Sequence, residues 1–137
     1  PKQLATGITF DDCTDCTLTG STIHDAYAGA PSVSPPPVIK SKGLIELIKS
    51  KRVTINACQI LDPGLPGIHA ENCDFVNIQG CSILDSRDDQ KMPHAIAFQG
   101  VGKANLISGC TLSKGKSGAI NASTESNLKI GENLETA

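Results

Sequence analysis

"GIHAENCDFVNIQGCSILD", residues 67–85, decides the fold. Its aliphatic residues Ile68, Ile78 and Ile83 stand ten and then five residues apart, a spacing that fits neither the 3.6-residue turn of a helix nor one long alternating strand. Around each lies a short run with period two, IHA, FVNI and CSI, and Asn, Asp, Gln and Gly fill the gaps. The stretch therefore reads as three very short strands joined by tight corners.

The same spacing recurs along the chain. Ile8, Ile45, Ile68, Ile96 and Ile120 open successive units, Leu18, Ile55, Ile78 and Ile130 follow ten residues later in four of them, and Ile23, Ile60 and Ile83 come five residues after that. The fourth unit reaches Ile107 after eleven residues and keeps the five-residue step to Leu112; its extra residue points to a bulge at "GVGK" (100–103). The last unit loses the third strand position, with no aliphatic residue five after Ile130. Units of 23 to 29 residues, with one of 37, predict an all-β solenoid, a single-stranded parallel β-helix of about five coils. The Leu-x-x-Leu-x-Leu pattern and Asn ladder of a leucine-rich repeat are absent.

Composition agrees. The chain has 137 residues, no Trp, one Tyr and three Phe, so its interior must be built from small and β-branched aliphatic side chains, which suits stacked strands. A net charge of −2 with mixed signs offers no basic stretch for nucleic acid and no basic amphipathic face for a membrane, and neither partner is expected. No apolar run reaches bilayer-spanning length. Residues 1–137 read as one domain, with a Pro-rich loop insertion over 27–42 that includes "GAPSVSPPPVIKSK" (29–42). Five coils rise only about 24 Å and leave two raw edges, so further coils of a longer solenoid, or a second copy of the chain, are expected to cover them.

The six cysteines invite a disulfide or zinc reading, above all the C-x-x-C of Cys13 and Cys16. The repeat places them otherwise. Cys58, Cys81 and Cys110 share one column, Cys13 and Cys73 share another, and Cys16 aligns with Val53 and Val76. They are expected to point inward as small apolar rungs, about 4.8 Å apart, with a bridge from Cys81 to Cys58 or Cys110 geometrically open.

Length variation collects after the closing strand, the side on which solenoids usually carry their binding loops. Asp25, Asp62 and Asp85 occupy one column at the entrance to these segments, with Lys114 next. Three stacked carboxylates repel unless compensated, by a cation such as Ca²⁺, by Arg87, Lys91 or Lys114, or by backbone N–H groups of turns that each Asp begins. The loop "DSRDDQKMPH" (85–94) concentrates Asp85, Arg87, Asp88, Asp89, Lys91 and His94. Arg87, Asp88, Lys91 and His94 are its candidate catalytic groups, and Asp89, Lys114 and Tyr27, the one Tyr, are candidate binding groups. A second candidate is the outward column Thr9, Glu46, His69 and Asn121 on the opening strands.

Residues 7–134, through the pattern G-I-x-x-x-x-C/S followed by V-x-I-x-x-C-x-I, resemble the right-handed β-helix superfamily, which includes pectate lyases, polygalacturonases, alginate-active enzymes, phage tailspikes and NosD-like proteins. The resemblance implies a carbohydrate-related role and an extracellular or periplasmic location. It leaves two functions open: a lyase or glycoside hydrolase acting on acidic polysaccharide, or a non-catalytic structural or glycan-binding module of a surface or phage-tail-type protein. A lyase needs a group to neutralise the uronate carboxylate and a base for the α-proton, and a glycosidase needs two carboxylates; the coil-3 loop contains residue types for either. No "NTD…DD…GHG…RIK" set and no "DPH" motif is present, so no family residue carries over.

Overall fold

In a computed structural model the described residues are 3–4, 7–24, 38–39 and 42–136, with only the backbone of 3–4 and 38–39. Asp25, Tyr27 and nearly all of the 27–42 insertion lie outside them. Three parallel sheets of five strands each wrap one core. The opening sheet holds Ile8–Asp11, Ile45–Ile48, Ile68–Glu71, Ile96–Gln99 and Ile120–Ala122. The middle sheet holds Thr14–Thr19, Lys51–Asn56, Asn77–Gln79, Asn105–Ser108 and Leu128–Ile130, and the closing sheet Thr22–His24, Gln59–Leu61, Ser82–Leu84, Thr111–Ser113 and Leu134–Thr136. Gln3–Leu4 and Val38–Ile39 form a separate parallel pair.

Strand pairing reproduces the sequence columns residue for residue. Ile8, Ile45, Ile68, Ile96 and Ile120 are in register. So are Leu18, Ile55, Ile78, Ile107 and Ile130, and Ile23, Ile60, Ile83 and Leu112. The central members of all three columns are completely buried. Between them Leu47, Ala70 and Phe98 stack in register, the small residue making room for the large one.

The expectation for the last coil needs one correction. Its third strand forms, with Glu135 opposite Leu112 where an aliphatic would stand. Parallel pairing uses backbone groups, so the strand survives the loss of its apolar side chain.

Corners are made by single residues in the left-handed region. Asp12, Lys49 and Asn72 stack at one corner; Asp15, Arg52, Phe75, Ala104 and Asn127 at the next. Such a backbone is costly for residues with a Cβ. Here the neighbouring coil holds it: Lys49 N donates to Glu71 O at 2.9 Å, Arg52 N to Asp74 O at 3.0 Å and Phe75 N to Lys103 O at 2.8 Å. The inter-coil ladder thus runs through the corners as well as the strands.

The bulge lies in "GVGK". Gln99 pairs with Glu71, 28 residues back, whereas Lys103 bridges to Asp74, 29 back. Gly102 is required there, because a Cβ would stand 2.2 Å from Cys73 O.

Candidate functional site

The coil-3 loop is organised by Asp85. The carboxylate is wholly buried and is surrounded by donors: Arg87 Nε at 2.7 Å on Oδ1, and Arg87 Nη2 at 2.9 Å, Lys91 N at 2.7 Å and Met92 N at 2.9 Å on Oδ2. Its backbone joins in, Asp85 N donating to Ser113 Oγ at 3.0 Å and Gln90 Nε2 donating to Asp85 O at 3.1 Å. Burial opposes the charge, but Arg87 and the N–H groups of Met92 and Lys91 outweigh it and hold the carboxyl well below the usual carboxylate range. Arg87 also reaches back to Pro63 O at 2.8 Å. Asp85 is thus the turn-forming residue weighed from the sequence, and it recruits Arg87 as its counter-ion.

Met92 is fully buried and anchors the far side of the loop. The next coil's loop packs on it: Lys116 N donates to Met92 O at 2.9 Å, Ser117 N to Pro93 O at 3.1 Å, and His94 Nδ1 lies 2.9 Å from Gly118 O. Of the candidate catalytic residues, Arg87 and His94 are therefore tied into the scaffold, whereas Asp88 and Lys91 are exposed. Asp89 is exposed and pairs with Lys91 at 3.2 Å. Lys114 is exposed beside them, as is Lys116. The structure brings Asp85, Arg87 and Lys91 together, the last through its backbone N–H, and leaves the side chains of Asp88, Asp89, Lys91 and Lys114 facing solvent.

Asp62 and Asp85, the described members of the acidic column, are both engaged by donors. Asp85 and Asp62 are in adjacent coils, but Asp62 Oδ1 accepts from Ser86 N at 2.7 Å and Ser86 Oγ at 2.9 Å, and its Oδ2 lies 3.5 Å from His24 Nε2. Ser86 N–H, with the hydroxyl and His24, lowers the Asp62 carboxyl against burial. Both carboxylates are thus ringed by donors, the environment of an anion, and Asp85 would have to release Arg87 to meet a hard cation. Among the described residues no three His, Cys, Asp or Glu side chains converge as a metal group.

The opening-sheet candidate is a tighter polar cluster than its sequence suggested. Glu46 and His69 are in register and both buried. Lys42 N donates to Glu46 Oε2 at 3.0 Å and Lys42 Nζ to Glu71 Oε1 at 2.9 Å, while His69 Nε2 stands 3.6 Å from the same Glu71 oxygen without a hydrogen bond. Burial pushes the imidazole below its ordinary value, against the pull of Glu71. Neutral His69, covered on its outer side, is a structural member of this group in the arrangement described. Lys42 and Glu71 were missed from sequence because they stand 29 residues apart and share no column of the repeat.

All six cysteines are free. Their role is more specific than apolar filling. Cys58 Sγ lies 3.5 Å from Asn56 O and 3.9 Å from Leu18 O; Cys81 Sγ is 3.5 Å from Gln79 O and 3.8 Å from Ile55 O; Cys110 repeats the pattern with Ser108 O and Ile78 O. In coil 5 Asn133 Nδ2 takes over, donating to Gly131 O at 3.1 Å and Ile107 O at 3.5 Å. The thiol column is therefore a weak donor ladder aimed at backbone carbonyls. The neighbouring Cys110 thiol and burial push the Cys81 thiol up.

Asn105 escaped the sequence reading. It takes the column of Cys16, Val53 and Val76, is buried, accepts from Val76 N at 2.9 Å, and donates to Cys73 O at 2.9 Å and Ser126 O at 2.8 Å. It stitches three coils where the bulge interrupts the ladder. A polar residue replacing an aliphatic next to an insertion was its one sequence signal.

Comparison with curated proteins and with solved structures finds no match to this chain. The family model described as a right-handed beta helix region matches residues 3–134, nearly the whole chain. With three parallel five-stranded sheets stacked in register, the chain belongs to the right-handed β-helix family.

Proposed function

We propose that this β-helix is a non-catalytic, carbohydrate-associated module that holds acidic polysaccharide on the side of its coil-3 and coil-4 loops. The observation that carries the reading is the engagement of Arg87 and His94 in the scaffold: two of the four groups suited to acid–base chemistry stabilise the loop instead. What faces solvent is a set of charges on a rigid frame. Lys91, Lys114 and Lys116 supply ammonium groups for carboxylates, and Asp88 and Asp89 accept from sugar hydroxyls. Tyr27 and Asp25, outside the described residues, belong to the same segment of the repeat.

Affinity electrophoresis through gels containing polygalacturonate or alginate tests this reading. Retardation of the wild type, lost in a Lys91→Ala/Lys114→Ala/Lys116→Ala variant and in high salt, is expected. Release of unsaturated products or reducing ends by the wild type would replace the reading with the lyase or hydrolase one, and in that case Asp88 and Lys91 become the groups to mutate.

A further inference from the structure

We infer that Cys13 and Cys16 form a two-coordinate thiolate site for a soft monovalent cation such as Cu(I), at the outer end of coil 1. The two residues are three apart in sequence, yet both face inward. Cys13 stands in the column of Ser50 and Cys73, and Cys16 pairs in register with Val53; Ser50, Cys73 and Val53 are all buried. Asp15 between them has a left-handed backbone with φ of 58° and turns the chain, so the two thiols point toward the solenoid axis from either side of one corner.

The setting differs from that of the other thiols. Coils 2 to 4 have a neighbour on each side, whereas coil 1 lies at the end of all three sheets. Cys13 and Cys16 are accordingly half-exposed, and Cys58, Cys73, Cys81 and Cys110 are buried. Coil 2 holds the pair from below: Cys13 N donates to Ser50 Oγ at 3.2 Å and Lys51 N donates to Cys13 O at 2.9 Å. Cys13 Sγ lies 3.5 Å from Asp11 O, Cys16 Sγ lies 3.5 Å from Thr14 O, and the two thiols are within hydrogen-bonding reach of each other. The sulfurs are therefore positioned before any ligand arrives, which lowers the ordering cost of binding.

The donor set selects the occupant. Thiolates favour soft cations. Among the described residues no third His, Cys, Asp or Glu joins the pair as a metal group, since Arg52 engages both carboxylate oxygens of Asp15 and His24 faces Asp62. Zinc takes four ligands and calcium at least six oxygens, so neither is served. A monovalent d10 cation is satisfied by two sulfurs in line. Metal–sulfur bonds of about 2.3 Å set such sulfurs about 4.6 Å apart, close to the contact of two unbonded thiols, whereas a disulfide would draw them to about 2.05 Å. Loading exchanges one cation for the two thiol protons, which pass to water, with no change of oxidation state. Burial, the Cys13 thiol and the charge of Asp15 push the Cys16 thiol up, and a cation shared between the sulfurs offsets the repulsion that a bare thiolate meets there. The site does not depend on the carbohydrate reading above.

The test is competition for Cu(I) with bathocuproine disulfonate, in the full chain, without oxygen and with ascorbate as reductant. Wild type is expected to hold one Cu(I) equivalent. Cys13→Ser and Cys16→Ser, each checked for folding by circular dichroism, are each expected to weaken that affinity by more than about tenfold. In the wild type itself, one equivalent of Cu(I) is expected to protect Cys13 and Cys16 from iodoacetamide, read by peptide mapping, and X-ray absorption to show two sulfur neighbours around copper. Failure of the wild type to compete overturns the inference, as do unchanged affinity in the folded variants, alkylation of the pair in the loaded protein, or copper with more than two ligands.

Discussion

Replacing Asp85 with Ala removes the centre of the coil-3 loop. The carboxylate accepts two side-chain bonds from Arg87 and backbone bonds from Lys91 and Met92, all at 2.9 Å or less. Its removal leaves a guanidinium whose side chain is only 20% exposed and a Met92 N–H in a fully buried residue. Breaking a buried pair by deleting one partner costs about 3–5 kcal/mol, because the surviving charge stays desolvated. Against a domain stability of about 5–15 kcal/mol this is a large fraction, and it corresponds to a fall in melting temperature on the order of 10–15 °C. Circular dichroism melts and urea titrations of Asp85→Ala, Arg87→Leu and the double variant measure it. The double variant is expected to be less destabilised than the sum of the singles by about 2 kcal/mol, since Arg87 no longer lacks its counter-ion. A loss below about 1 kcal/mol for Asp85→Ala, or strict additivity, would show that Asp85 does not organise the loop. The pH dependence has a definite sign. A carboxyl held below its ordinary 3.8 contributes stability that is complete above about pH 4 and is lost as pH falls through its folded-state value, so the wild type should lose the advantage over Asp85→Ala only in strong acid.

His69 gives the complementary effect at milder pH. Its folded value is lowered from 6.5 by burial, so its contribution is full above that pH and declines on acidification below it; a His69→Gln variant should lack this part of the stability–pH curve, and an unchanged curve would remove His69 as its source. Asn105→Leu should cost about 3 kcal/mol, because Val76 N, Cys73 O and Ser126 O lose a shared partner in a buried setting; a melt within 2 °C of wild type would count against the stitch. Native thiol titration with Ellman's reagent should show Cys13 and Cys16, which are half-exposed, reacting well before Cys58, Cys73, Cys81 and Cys110; simultaneous reaction of all six would contradict the inward ladder.

The repeat was legible because a solenoid core is a one-dimensional object. Ile8 to Ile120 and Leu18 to Ile130 can be aligned by counting, since each coil pairs in register with the next and side chains alternate with period two. The bulge at 100–103 was legible for the same reason, as an eleven where a ten belonged. The corners at Lys49, Arg52 and Phe75 were less so. Their left-handed backbone is held by hydrogen bonds to another coil, and nothing in a large or β-carbon-bearing side chain announces it.

Much of the candidate site stayed hidden for a similar reason. Counting put Asp85 in an acidic column with Asp62 and Asp25, and that column favoured turns while leaving shared cation binding open. The direction of the Lys91 and Met92 N–H groups, the fold-back of Arg87 and the anchoring of Met92 decide instead that Asp85 is a buried, internally neutralised hub. Likewise His69 and Glu46 share a column by sequence, but only the folded chain brings Lys42 onto Glu71 and Glu46 and buries the imidazole. Sequence by itself determined which residues stack, because stacking follows from coil length and alternation. Tertiary structure decided which charges are spent inside the molecule and which face outward, because that depends on where loops of unequal length place their donors.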